Sequence, residues 1–261
     1  MSPELRDQVA PVEAWIATDI LSTGTQILLR DVPISSIHFQ WYSETAAARN
    51  RLAESLRGLA GRQVYALCSR HILSNTIQLL AAHRLTATEA HPILVPFYSA
   101  GSDFAMVLLK VQPARDNAPM ESPYRITSSA TPLPAEAYRA ELSVPVPHLQ
   151  MRPRENRVIW VGVKNHSAQP WPANGGDRGV GQVWLGGQWR DQPGRKMPPT
   201  WIRAALIYDL APGNATTLPI RIRSPREPGQ YVLELDMIQE QVTWFAQKGS
   251  AALRLVVDVR D

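Results

Sequence analysis

The residues best equipped for covalent chemistry stand together in "CSRH", where Cys68 is followed by Ser69, Arg70 and His71. A cysteine nucleophile needs its thiol pKa lowered by a basic neighbour or a helix N-terminus, and Arg70 could serve. The carboxyl ends of strands in open α/β sheets are also where ligands commonly sit. Against this, a lone cysteine closing the apolar run "VYALC" packs well as a small core side chain, and that reading is preferred. Asp19, Asp31, Glu44 and Asp103 could supply an acid–base pair, but no spacing brings two of them together. The six histidines, His38, His71, His83, His91, His148 and His166, show neither HExxH nor paired metal spacing, and no cysteine cluster accompanies them. The phosphate cradles GxGxxG and GxxxxGK[ST] and the GxSxG elbow are absent from the sequence. No catalytic residue, no metal and no cofactor is therefore expected.

Binding chemistry is better represented. Trp171-Pro172 could offer a flat π surface to a sugar face or a cation. The alternative, which is preferred, is that Trp171 plugs the open end of a sandwich while Pro172 fixes the loop. In "QEQVTWF", Gln239 and Glu240 could accept hydroxyl hydrogen bonds beside Trp244, or they could satisfy backbone donors while Trp244 and Phe245 pack inward. Packing is again preferred. Trp160 and Trp184 differ, because period-two alternation turns both away from the aliphatic face of their strands. The ligand-binding candidates are thus Trp160, Trp184, Trp171, Glu240 and Trp244.

These residues belong to a chain of 261 residues, 44% of them hydrophobic, which suffices for two modest cores. The net charge is +4, but Lys and Arg are scattered and cluster only in "MRPRENR" and "RIRSPR", so no nucleic-acid partner is expected. A single cysteine excludes an internal disulfide and suits a reducing compartment. The start "MSPELRDQVAPVEAW" does not read as a signal peptide, and no window approaches the roughly 20 apolar residues of a membrane span. No membrane insertion is expected and a cytoplasmic location is the default, with an exported domain of a larger protein as the alternative. The sequons "NHS" and "NAT" read as accidental matches.

Periodicity divides the chain in two. "WIATDIL" and "TQILLRDV" flank the turn "STG" as a hairpin; "SETAAARNRLAESLRGLAG" carries Ala48, Leu52, Leu56 and Leu59 at helical spacing. "RQVYALCS" follows as a strand, "HILSNTIQLLAAHRL" as a helix, and "HPILVPFYS" and "FAMVLLKVQ" as two strands around "AGSD". The expected order is ββαβαββ, a small α/β domain over residues 1–113. The Pro- and Ser-rich residues 114–134 read as a linker. Residues 135–261 alternate short apolar strands with Pro, Gly or Asn, which is how an all-β sandwich is written. In "PGQYVLELDM", alternation aligns Tyr231, Leu233, Leu235 and Met237, with Tyr231 placed as the tyrosine corner of an immunoglobulin-like sandwich. In "GQVWLGGQW" it aligns Val183, Leu185, Gly187 and Trp189, making Trp189 the buried tryptophan of a central strand.

The pieces "LPAEAYRAEL", "VGVKNHSAQPWP", "LAPGNATTLPIRIRSPREPGQYVLELDMIQEQVTWF" and "LRLVVDV" occur in that order over residues 133–259. Together they resemble an immunoglobulin-like accessory domain found in bacteria beside glycosyltransferases, methyltransferases and other surface-polysaccharide proteins. One departure is Gln241, where the family usually has a glycine after Gln-Glu, so the turn there is expected to differ in shape. The residues "RQVYALCSRHILSNTIQLLAAHRL" are faintly similar to the small soluble α/β domain that follows the membrane part of some lipid-linked-sugar glycosyltransferases. The resemblance implies a fold and a setting, with no catalytic residues carried over. The resulting expectation is a non-catalytic binding or docking protein of bacterial glycan or cell-envelope biosynthesis, whose partner is a glycan or a glycan-biosynthesis protein, with the oligomeric state left open. The alternatives are a fragment or accessory subunit of a glycosyltransferase and a structural protein–protein interaction module.

Overall fold

The computed structural model describes residues 14–17, 35–38, 64–70, 73–82, 84–96, 103–114, 124–198 and 201–261. They are mostly β-strand and fall into two compact units, Met1–Arg125 and Ile126–Asp261, each described by itself.

The first unit contains β1 (Ala14–Ala17), β2 (Ser35–His38), β3 (Val64–Ser69), α1 (Leu73–Ala82), β4 (Leu85–Pro96) and β5 (Asp103–Pro113). The sheet order is β2-β1-β3-β5-β4, with β1 parallel to both neighbours and β5 antiparallel to both of its own. Strands β3 and β4 therefore run the same way with β5 returned between them, a split β-α-β unit. Helix α1 buries Leu73, Thr76 and Leu80, three positions of one helical face. A bulge between Ala87 and Glu89 takes Thr88 out of the ladder, and its carbonyl accepts the Tyr124 hydroxyl at 2.9 Å.

The expected second hairpin arm, residues 25–32, and the expected first helix, residues 43–61, lie outside the described residues. Where a hairpin was expected, Ala14–Ala17 pairs in parallel with Ser35–His38 and Val64–Ser69. A parallel neighbour requires a crossover, which a local turn signal cannot announce. Cys68 is fully buried and its thiol points to the Val107 carbonyl, so the core reading of that residue holds. Asp19, Asp31, Glu44, His71 and His83 lie outside the described residues.

The second unit is a β-sandwich. Its strands are β6 (Ser128–Ser129), β7 (Ala140–Ser143), β8 (His148–Met151), β9 (Asn156–Asn165), β10 (Asn174–Gly175), β11 (Val183–Arg190), β12 (Ile202–Ala205), β13 (Ala215–Arg223), β14 (Gly229–Gln239), β15 (Thr243–Trp244) and β16 (Leu253–Val259). One sheet runs β12-β11-β14-β16-β8, with β15 folded onto the end of β14; the other runs β13-β9-β7. Pairing is antiparallel except between β16 and β8 and in the small β10-β6 pair. Alternation decides which side of each strand faces inward. On β14, Leu233, Leu235 and Met237 are fully buried, and Trp189 of β11 lies directly opposite Leu233 in the register. Tyr231 is half-buried; its ring meets Trp189 edge-on at 6.4 Å and its hydroxyl donates to the Glu227 carbonyl at 2.9 Å, the bond of a tyrosine corner.

One end of the sandwich is closed by aromatics. Phe245 is fully buried and meets Tyr138 and Trp171 edge-on, each with ring centroids at 5.0 Å. Trp171 is also fully buried and donates from Nε1 to the Ala137 carbonyl at 2.8 Å. The asparagine of "NHS", Asn165, is buried with its amide committed to the carbonyls of Gln169 and Leu210, which leaves it no use as a glycosylation acceptor.

Residues 126–134, read as linker from their Pro and Ser content, are bound to the sandwich. Asp209 accepts the Thr127 amide at 2.9 Å, the Thr127 hydroxyl and the Ala173 amide at 2.8 Å. Gln239, fully buried, accepts the Leu133 amide at 2.9 Å and the Tyr138 hydroxyl at 2.7 Å; it donates to the carbonyls of Thr131 at 2.9 Å and Gly181 at 3.0 Å. Two side chains thus supply the hydrogen bonds that this irregular segment cannot make within a ladder, and composition alone does not disclose them.

Candidate ligand-binding face

Alternation that points Val183, Leu185 and Trp189 inward must point Gln182, Trp184, Gly186 and Arg190 to the opposite face of the larger sheet. The register places Arg203 and Asp236 on either side of Gly186, and Ala205 and Ile238 on either side of Trp184. Gly186 leaves a notch in this surface. A Cβ there would lie 2.7 and 2.8 Å from two carbons of the Trp244 ring, so the indole is seated where only glycine allows it.

The Arg203 guanidinium carbon lies 4.9 Å from the centre of the Trp201 ring and 5.0 Å from that of Trp244. Such contacts are each worth about 0.5–1 kcal/mol at an exposed site. Trp201 remains 77% exposed, the largest exposure among the big apolar side chains described. Arg203 also approaches Glu240, with Nε and Oε2 3.6 Å apart, a distance that gives an ion pair without a hydrogen bond. Farther along the face, Arg190 holds Glu234 by two bonds of 2.9 and 2.6 Å and Arg254 adds a third at 3.3 Å. The Arg190 guanidinium keeps the Glu234 carboxyl below its ordinary range.

Asp236 is 4% exposed and has one good partner, the Ala246 amide, on Oδ2 at 2.9 Å. Burial pushes its pKa up to about 6; the backbone amides of Ala246 and Met237 oppose the rise and the nearby Glu234 charge adds to it. Among the described residues of this face, Trp184 Nε1 and Asp236 Oδ1 are buried without a hydrogen-bond partner, as is Gln182 Nε2 just before β11, while Arg203 Nε and Glu240 Oε2 have only each other at 3.6 Å. A buried polar atom left so costs about 1–3 kcal/mol. Three such atoms in and beside one strand pair mark a place where bonding capacity exceeds what the protein uses.

The sequence candidates separate cleanly. Trp184, Glu240 and Trp244 converge here. Trp160, half-buried opposite Pro219 on β9, lies on the outer surface of the other sheet, so it cannot share a site with Trp184. Trp171 is corrected from a ligand platform to an interior plug, since no part of its indole is accessible. In "QEQVTWF" Gln239 and Phe245 turn inward, as the packing expectation has it, while Glu240 and Trp244 stay on the face. Gln241 adopts φ 58°, in the left-handed region that a glycine enters without cost from a Cβ. Sequence reasoning missed Trp201, Arg203, Asp236 and Gln182. Alternation in "WIRA" does put Trp201 and Arg203 on one side of β12, but their partners come from other strands.

No protein-family model matches the chain, and no curated protein matches it. Among solved structures, similarity extends to the CARDB domain of a Pyrococcus furiosus protein, described as a complex with di-metal ions, at 13% identity over 47% of this chain and 86% of that one, with a TM-score of 0.29. The ASH / PapD-like domain 7 of human CEP192 gives 12% identity over 57% of this chain and 99% of that one, with a TM-score of 0.26. The sporulation control protein Spo0M of Bacillus subtilis gives 12% over 47% and 49%, with a TM-score of 0.26. At these scores the likeness carries no argument about ligand or mechanism. Among the described residues, no group of three or more His, Cys, Asp or Glu is placed to hold a metal ion, and no helix is long and apolar enough to cross a membrane.

Proposed function

We propose that the chain is a non-catalytic binding or docking protein of bacterial glycan or cell-envelope biosynthesis, and that the outer face of the larger sheet is its contact surface. The observation that carries this reading is the convergence of an exposed Trp201, the Arg203 stack, Trp244 and the partnerless Trp184 Nε1 and Asp236 Oδ1 on one side of one sheet. The motif resemblance supports the setting, because the stretch that carries it, "LELDMIQEQVTWF", also supplies Asp236, Glu240 and Trp244 to the face. An exposed tryptophan stacked on an arginine is equally the chemistry of a protein–protein anchor, which favours docking to a biosynthetic enzyme as the second reading.

The test compares wild type with Trp201→Ala on glycan arrays and in pull-downs. Trp201 contributes little buried area, so the variant should fold normally and lose capture. Equal capture by both proteins, or no capture of either kind by wild type, would refute the assignment.

A further inference from the structure

We infer that the covered polar floor of this face binds a neutral saccharide through its hydroxyl groups; the inference rests on the reading of this face as the contact surface. The unused atoms are of both kinds. Gln182 Nε2 and Trp184 Nε1 donate, whereas Asp236 Oδ1 accepts when ionised. A hydroxyl both donates and accepts, so a ring bearing several can satisfy the set. A carboxylate or phosphate offers only acceptors, and an ammonium only donors.

Charge argues the same way. Arg203 is already beside Glu240, and Glu234 is held by Arg190 and Arg254. An anionic ligand would face Glu240 and Asp236, with the one cation beside them, Arg203, already committed to Glu240; a cationic one would face Arg203. A neutral ligand meets neither repulsion.

Shape completes the argument. The Trp244 indole fills the notch above Gly186 as a flat ring, the size and form of group that a pyranose could replace. Phe245, fully buried next to it, anchors the backbone, so turning out the indole leaves β15 in place. Trp201 and the displaced indole then offer faces against which the apolar side of a sugar packs.

The full chain is titrated by calorimetry and tryptophan fluorescence with maltohexaose, mannohexaose, chitohexaose and hexagalacturonate. At least one neutral oligosaccharide should saturate, and Trp184→Phe, which keeps the ring but deletes the donor, should weaken its binding about tenfold. Gln182→Leu, which roughly keeps the side-chain volume and deletes the Nε2 donor, carries the same test should Trp184→Phe not fold. Hexagalacturonate binding as tightly as the neutral sugars, or unchanged affinity in a folded variant, overturns the inference. Absence of saccharide binding overturns it too, while the contact-surface reading is judged separately by protein capture with Trp201→Ala.

Discussion

Replacing Gln239 with leucine is the sharpest probe of how the sandwich is closed. The side chain is fully buried and makes four hydrogen bonds, two accepted from Leu133 and Tyr138 and two donated to Thr131 and Gly181. Leucine has nearly the same volume, so the cavity term is small and the loss falls on the hydrogen bonds. At about 1 kcal/mol net for each bond, the destabilisation is about 4 kcal/mol if the segment holding Thr131 and Leu133 is free to swing into water. If it stays, four buried groups are orphaned and the loss is larger. Guanidinium denaturation read by near-ultraviolet circular dichroism measures the loss, and amide exchange measures where it occurs. The Leu133 amide should exchange before the strands open. A loss under about 1 kcal/mol, or unchanged protection at Leu133, would refute the view that this glutamine holds the segment.

Two further outcomes follow from particular residues. Because the Asp236 pKa is raised in the folded state to about 6, its contribution to stability is fully present below its ordinary value of 3.8 and is lost as pH climbs through about 6. Asp236→Asn should abolish this dependence, worth about 3 kcal/mol, in denaturation curves at pH 4 to 7; parallel wild-type and variant profiles would contradict it. Gln241→Gly removes a left-handed non-glycine residue and should raise stability by about 0.5–1 kcal/mol despite the lost Arg178 contact, a gain visible as a higher thermal midpoint and disproved by a lower one.

The sandwich was largely legible because its long strands alternate without interruption. Leu233, Leu235 and Trp189 face inward as the period of two requires, and Tyr231 forms its corner bond. Strand β8 was not legible, since the alternation in "HLQM" spans only four residues between prolines and the strand pairs in parallel with one distant in sequence. Strand β12 stops at Ala205 although the apolar run continues, because Leu206 to Leu210 are buried in irregular chain around the Trp171–Leu210 bridge. The candidate face was half legible. Outward tryptophans can be counted along a strand, but the meeting of Arg203 with Trp244 and Glu240 depends on which strands are neighbours, and no local pattern encodes that. Gln239 does satisfy a backbone donor, but the donor lies on a remote stretch of chain rather than in its own turn, which no local pattern reveals.

That remoteness bears on how the molecule comes to be folded during synthesis. Leu133 waits for a partner 106 positions later in the chain, and Tyr138 for the same atom after 101. As the ribosome delivers residues in order, these two bonds cannot form until nearly all of the sandwich has emerged, so closure around Gln239 is a late step and Leu133 and Tyr138 stay open longest to proteases and chaperones on the nascent chain.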